Sequence, residues 1–118
     1  MYTAEEQLQH RMKWAEVLRS GEYKQGRSYL ARDGKFCCLG VACELYQKEV
    51  GDLVVEVESF STTRYDNSVH VLPRKVQDWL GITENGELKK GEYVAHLNDH
   101  GWTFEQIAEL IETDKLKT

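Results

Sequence analysis

The chain has 118 residues, 41% apolar and 30% charged, with a formal net charge of −5. This is enough for one domain with one modest core, and it excludes a disordered or fibrous chain. No apolar run approaches the ~18 residues of a membrane span, and the negative balance argues against a general nucleic-acid binder.

The opening Met1–Glu6 is acidic and lacks the apolar stretch of a signal peptide. With three cysteines, two of them adjacent, the expectation is a reduced, cytoplasmic protein without a disulfide framework. Thr3 and Glu6 form a capping box. Behind it Ala4, Leu8, Met12 (or Ala15) and Leu18 recur at helical spacing, with Trp14 and Val17 beside them. The pattern predicts a helix over about 3–19, ended by Ser20-Gly21.

A polar loop follows, and Asp33-Gly34 between Ser28–Ala31 and Lys35–Cys38 signals a hairpin, because both turn residues tolerate positive φ. From Leu39 the period becomes helical. Apolar residues fall on so much of the circumference that this reads as a central buried helix, closed by Gly51. Leu53–Phe60 alternates and is rich in valine, which predicts a half-buried strand. Ser61–Ser68 reads as a loop and Val69–Leu72 as a second strand.

Pro73 is placed at the first position of a short helix carrying Val76, Trp79 and Leu80, with Gly81 after it. Asn85-Gly86 marks a turn. Tyr93, Val94 and Leu97 give another helix up to Gly101, and Thr103 with Gln106 caps the last one, lined by Phe104, Ile107, Ala108 and Ile111. Leu116 is expected to pack at its end. The whole predicts a single α+β domain over 1–118: a small antiparallel sheet of three to five short strands packed by four to five helices.

FCCLGVAC (36–43), LPRKVQDWLG (72–81) and LNDHGWTFEQIAELIE (97–112), with SGEYKQG (20–26) after the first helix, resemble a group of small uncharacterised proteins of phages and bacterial genomes. The resemblance covers most of the chain. It implies a compact cytoplasmic protein encoded by a phage or prophage, and it implies no activity.

Several residues are candidates for chemistry. Cys37, Cys38 and Cys43 with His96 and His100 could ligate zinc, the two histidines lying one helical turn apart. Adjacent strand cysteines point apart, however, and no C-x2-C pair is present, so core packing is the preferred reading and no cofactor is expected. A reactive Cys38 at a helix start, with His70 as base, lacks an orienting third group. A phosphate cradle at Cys38–Gly40 lacks a glycine-rich loop, and Gly40 reads instead as a site of close packing.

Leu97–Leu110 has the spacing of a helix-turn-helix, but its second helix exposes Thr103, Glu105, Glu109 and Glu112 and no cation. The expectation is an αα-corner whose acidic face suits a basic partner. Asp99 near a helix C-terminus opposes the dipole and signals a specific contact, with a cation or a backbone amide.

From Arg11 to Lys35 seven Lys/Arg meet three acids, and from Glu92 to Thr118 six acids meet two lysines. Within the basic part, Tyr23, Lys24, Gln25, Arg27, Arg32 and Lys35, with Tyr29, form an aromatic-plus-basic set suited to an anionic ligand. The expected function is a small non-enzymatic phage-type binding protein, acting on a host protein or a small anionic ligand. The alternatives are the metal or thiol protein above and a nucleic-acid binder using the Arg11–Lys35 side. An exposed Val54/Phe60 face could also support a homodimer.

Overall fold

A computed structural model describes residues 1–118. Its α+β fold follows the order α1 (Ala4–Arg19), β1 (Ala31–Arg32), β2 (Lys35–Phe36), α2 (Cys38–Glu49), β3 (Val55–Glu58), β4 (Thr62–Tyr65), α3 (Arg74–Leu80), α4 (Val94–Asp99) and α5 (Phe104–Glu112). Five helices and a four-stranded antiparallel sheet, ordered β2-β1-β4-β3, enclose one hydrophobic core. No helix is long and apolar enough to cross a membrane.

The capping box of α1 forms as expected: Thr3 Oγ1 accepts from Glu6 N–H at 3.1 Å, and Glu6 accepts from Thr3 N–H at 2.8 Å. The buried stripe differs from the apolar pattern. Arg11, Trp14, Ala15 and Leu18 face inward, whereas Leu8 and Met12 are exposed. The reason lies in α3, whose last carbonyls have no partner inside their own helix. Gln7 donates to Asp78 O at 2.7 Å, His10 Nδ1 to Trp79 O at 2.7 Å and Arg11 to Leu80 O at 2.6 Å. A polar stripe at i, i+3 and i+4 thus caps the end of a neighbouring helix, and α1 is rotated to present it.

Asp33 (φ 54°) and Gly34 (φ 76°) close the β1–β2 hairpin as their sequence predicts. The central helix is also as expected, with Cys38–Cys43, Leu45 and Tyr46 all buried. Gly40 packs directly on the backbone of Leu30; a Cβ there would lie well inside the contact distance of the Leu30 carbonyl oxygen. The helix can sit against the hairpin only because that side chain is absent.

The second half of the sheet corrects the sequence reading. β3 is shorter than Leu53–Phe60, and all four of its residues are exposed rather than half-buried. Its partner is β4, inside the stretch read as a loop, with Val55 opposite Tyr65 and Glu58 opposite Thr62. Thr62, Thr63 and Tyr65 are good strand residues, and the ladder to β1 (Ala31 opposite Thr63) selects them. Val69–Leu72 is not a strand. Val69 O accepts a single bond from Leu30 N–H at 2.8 Å, and Leu72 N–H turns to Glu84 O at 2.9 Å.

Pro73 is the N-cap of α3 rather than its first residue, and Tyr93 is the exposed N-cap of α4 rather than part of its apolar face. Asn85-Gly86 does turn the chain, with Gly86 N–H bonded to Thr83 O at 3.0 Å. Leu116 packs into the core, bridging to Leu88.

Gly40→Ala is expected to cost about 3 kcal/mol or to prevent folding, because backbone rather than a flexible side chain must move. Gly21→Ala, at a positive-φ site with nothing within 4 Å, is expected to cost about 1 kcal/mol. Urea midpoints of the two variants, compared with the parent, test this ordering.

Candidate functional site

The basic-aromatic set lies on the loop between α1 and β1 and on the β1–β2 hairpin. Gly26, Arg27, Tyr29, Arg32, Asp33 and Lys35 line a shallow depression there. Arg32 stacks over the Tyr29 ring at 4.4 Å and lies 5.8 Å from the Phe60 ring. Tyr29 in turn leans on His70, with centroids 4.7 Å apart, and His70 Nδ1 donates to Ser28 O at 2.8 Å. A guanidinium held between rings keeps its planar fork of donors available at the edge, the geometry that suits a carboxylate or phosphate.

Of the six residues predicted here, the structure brings Arg27, Arg32 and Lys35 to one depression, leaves Lys24 exposed on the same loop and gives two to the framework. Lys24, Arg27 and Lys35 are exposed and Arg32 is half-buried. None of the four joins an ion pair, whereas ten pairs form elsewhere on the surface. Tyr23 packs edge-on against Phe36 at 5.0 Å with the Lys48 ammonium over its ring. Gln25 donates to Asn98 Oδ1 at 2.9 Å and to Trp102 O at 2.7 Å, and accepts from Phe104 N–H at 3.2 Å. Its amide is fully engaged and is not free for a ligand.

Behind the loop lies Asn98, which is 1% exposed. Its Oδ1 accepts from Cys38 N–H at 3.2 Å and its Nδ2 donates to Gly26 O at 2.9 Å. Asp99 accepts from Ser28 N–H at 2.8 Å, so its signalled contact is with a backbone amide. Ser28 sits at φ 68°, an uncommon conformation for a non-glycine residue, held in place by this bond.

The basic half of the chain is thereby divided. Arg11 is buried against Leu80 O, Lys13 pairs with Glu49, and Arg19 joins Glu105, Glu109 and Glu112 at 2.7–3.6 Å. The Arg11–Lys35 side is therefore not one continuous cationic face. The same contact ties one end of the α5 acidic row to α1 through Arg19, while Glu105 and Glu109 stay exposed.

The thiol and metal candidates are not assembled. All three cysteines are free and buried. Cys38 directs its thiol at Val94 O, 3.7 Å away, and its backbone N–H is taken by Asn98, so it neither pairs with His70 nor leaves a phosphate cradle. His96 and His100 stack on the outside of α4 at 4.0 Å, and no group of three or more His, Cys, Asp or Glu residues is placed to hold a metal. Burial pushes the Cys37 thiol from the usual 9.0 up to about 11, and Cys38 and Cys43 well above it.

Sequence reasoning missed Phe60 and His70 as members of the surface, and it missed the extent of Asn98's role. Phe60 arrives from the β3–β4 turn and His70 from an irregular segment, so no local spacing links either to Arg32. The adjacent Asn98-Asp99 before Gly101 was the available signal for the network.

The model of a domain-of-unknown-function family, DUF8296, matches residues 7–115. The chain belongs to that family. No curated protein and no solved structure matches it. The matched region includes the loop, the hairpin, the cysteine helix and the Asn98 network.

This geometry can be checked by three measurements. Asn98→Ala is expected to lose about 2–3 kcal/mol in urea unfolding, since Cys38 N–H and Gly26 O are left without partners. The three thiols should resist a disulfide reagent until the protein unfolds. Stability should also fall as pH rises from about 9 to about 11, because the unfolded thiol loses its proton near 9.0 while folded Cys37 keeps it.

Proposed function

We propose that the protein is a small, non-enzymatic binding protein of phage type that captures an anionic group, carried by a small ligand or by a host protein, on its hairpin surface. One observation carries this reading: Lys24, Arg27, Arg32 and Lys35 crowd one short stretch, and none has an acidic partner within 4 Å. Like charges held close repel one another, and an anion relieves that repulsion. Tyr29 and Phe60 hold Arg32, so the donor fork is ordered before the ligand arrives and less entropy is lost on binding. The phage assignment is supported by the resemblance of FCCLGVAC and the 97–112 phrase to phage and prophage proteins.

Asp33 is the one carboxylate that lines the depression, and no side-chain hydrogen bond joins it to a nucleophile. The thiols are buried, and His70 is committed to Ser28 O through one nitrogen and to Tyr29 through its ring. Recognition rather than turnover is what this arrangement supports.

The test is titration of the isotope-labelled protein with pyrophosphate and, separately, with a glutamate-rich peptide. Saturable shifts should appear at the Tyr29, Arg32 and Lys35 amides and weaken with salt. Arg27→Glu, Arg32→Glu and Lys35→Glu together should remove binding while the circular dichroism spectrum stays native. Arg32→Lys should weaken it by about fivefold, by loss of the bidentate fork. Unchanged affinity in the triple variant, or no shift with either anion, would overturn the reading.

A further inference from the structure

We propose that β3 is a docking edge for an extended segment of a partner protein, one that alternates apolar and basic residues and joins the sheet as a fifth strand. The sheet has two edges of opposite character. The β2 edge is closed by the chain itself, since Phe36 N–H bonds to Lys24 O at 2.8 Å and Gly26 N–H to Phe36 O at 2.7 Å. The β3 edge is open.

The hydrogen-bond alternation of the ladder shows which groups are free there. Tyr65 exchanges both its backbone bonds with Ser68, at 2.9 and 2.8 Å, on the side away from β3. The facing pair Val55 and Tyr65 is therefore a non-bonded one, and so is Val57 with Thr63, two residues along. Val55 and Val57 consequently turn their N–H and C=O groups outward. No other element covers them, and both side chains are exposed. Val54, Val57 and Phe60 are 61%, 72% and 78% exposed, which makes this an apolar rim around open backbone groups. Phe60 is also held at φ 60°, a strained conformation for an aromatic residue at the tip of a solvent-facing turn.

Charge selects the occupant. Arg64 lies opposite Glu56 in the ladder but pairs diagonally with Glu58, which leaves Glu56 with no cation within 4 Å. A second copy of the chain fits poorly. The antiparallel register that uses both valines sets Val55 opposite Val57 and therefore Glu56 opposite Glu56, at the close spacing of a non-bonded pair. Sliding the copy one way brings Glu56 against Glu58. Sliding it the other way calls on Leu53, whose N–H and C=O are already taken by the Gln47 side chain at 3.0 and 3.3 Å. A lysine or arginine opposite Glu56, with β-branched or aromatic residues opposite the valines, resolves both the charge and the apolar exposure.

The test is selection of short random segments from a ribosome-displayed library against the full-length protein, followed by affinity measurement on two variants. Val57→Pro removes an outward N–H without touching the β4 ladder, a position where an edge strand tolerates proline. Glu56→Lys reverses the selecting charge. The selected segments should alternate apolar and basic residues. They should lose about tenfold in affinity to Val57→Pro and about fivefold to Glu56→Lys, and the latter should prefer the same segments with glutamate in place of lysine. Melting curves confirm that each variant is folded. Segments without basic enrichment, or with undiminished affinity for both variants, would overturn the proposal. So would a dimer of the parent protein in sedimentation that Val57→Pro dissociates, since a second copy would then occupy the edge.

Discussion

One buried side-chain amide, that of Asn98, holds the basic loop, the cysteine helix and the turn into α5 in a single arrangement. It reaches the start of α2 through Cys38 N–H, the basic loop through Gly26 O, and the turn into α5 through Gln25. The N-terminal amides of α2 have no cap from Cys37, so the acceptor comes from a residue sixty positions later in the chain. An amide has two donors and two acceptor lone pairs, and a buried one is stable only when they are matched. Matching them here requires the loop, the helix and the turn to be in place together, so the loop that carries the cations is positioned by the core.

Cys38 is the crossing point of that arrangement. Its N–H goes to Asn98, its carbonyl accepts from the Trp14 indole at 2.9 Å, and its thiol faces Val94 O. A small, weakly polar residue suits a site with several close backbone neighbours, and burial keeps the thiol protonated. The cysteine-rich motif is thus explained by packing, as is Gly40 two residues on, which lets the backbone of Leu30 approach.

The small sheet carries both of the proposed binding surfaces. Its hairpin end carries the cations around Arg32, and its far edge carries the open backbone of β3. Phe60 stands between them, within 5.8 Å of Arg32 and at the end of the exposed apolar rim. Both surfaces lie on loops or edges supported by buried elements, which is where binding residues can vary without loss of the core.

What the sequence determined by itself was the local structure. Two capping boxes, the Asp33-Gly34 hairpin and the buried central helix are encoded by residues within about four positions of one another, and each was legible. The cations Lys24, Arg27, Arg32 and Lys35 were legible as a set because they fall within one short stretch of the chain. Tertiary structure decided which face of α1 is buried, because the carbonyls at the end of α3 needed donors and Gln7, His10 and Arg11 supplied them. It decided that Thr62–Tyr65 rather than Val69–Leu72 pairs with β3, because strand choice rests on a ladder to β1 that no local pattern displays. It also decided which charges are spent, pairing Lys13 and Arg19 and leaving Arg27, Arg32 and Lys35 open. Short-range preferences act through the few torsions of one segment, whereas the pairing of buried polar groups and charges depends on which segments meet.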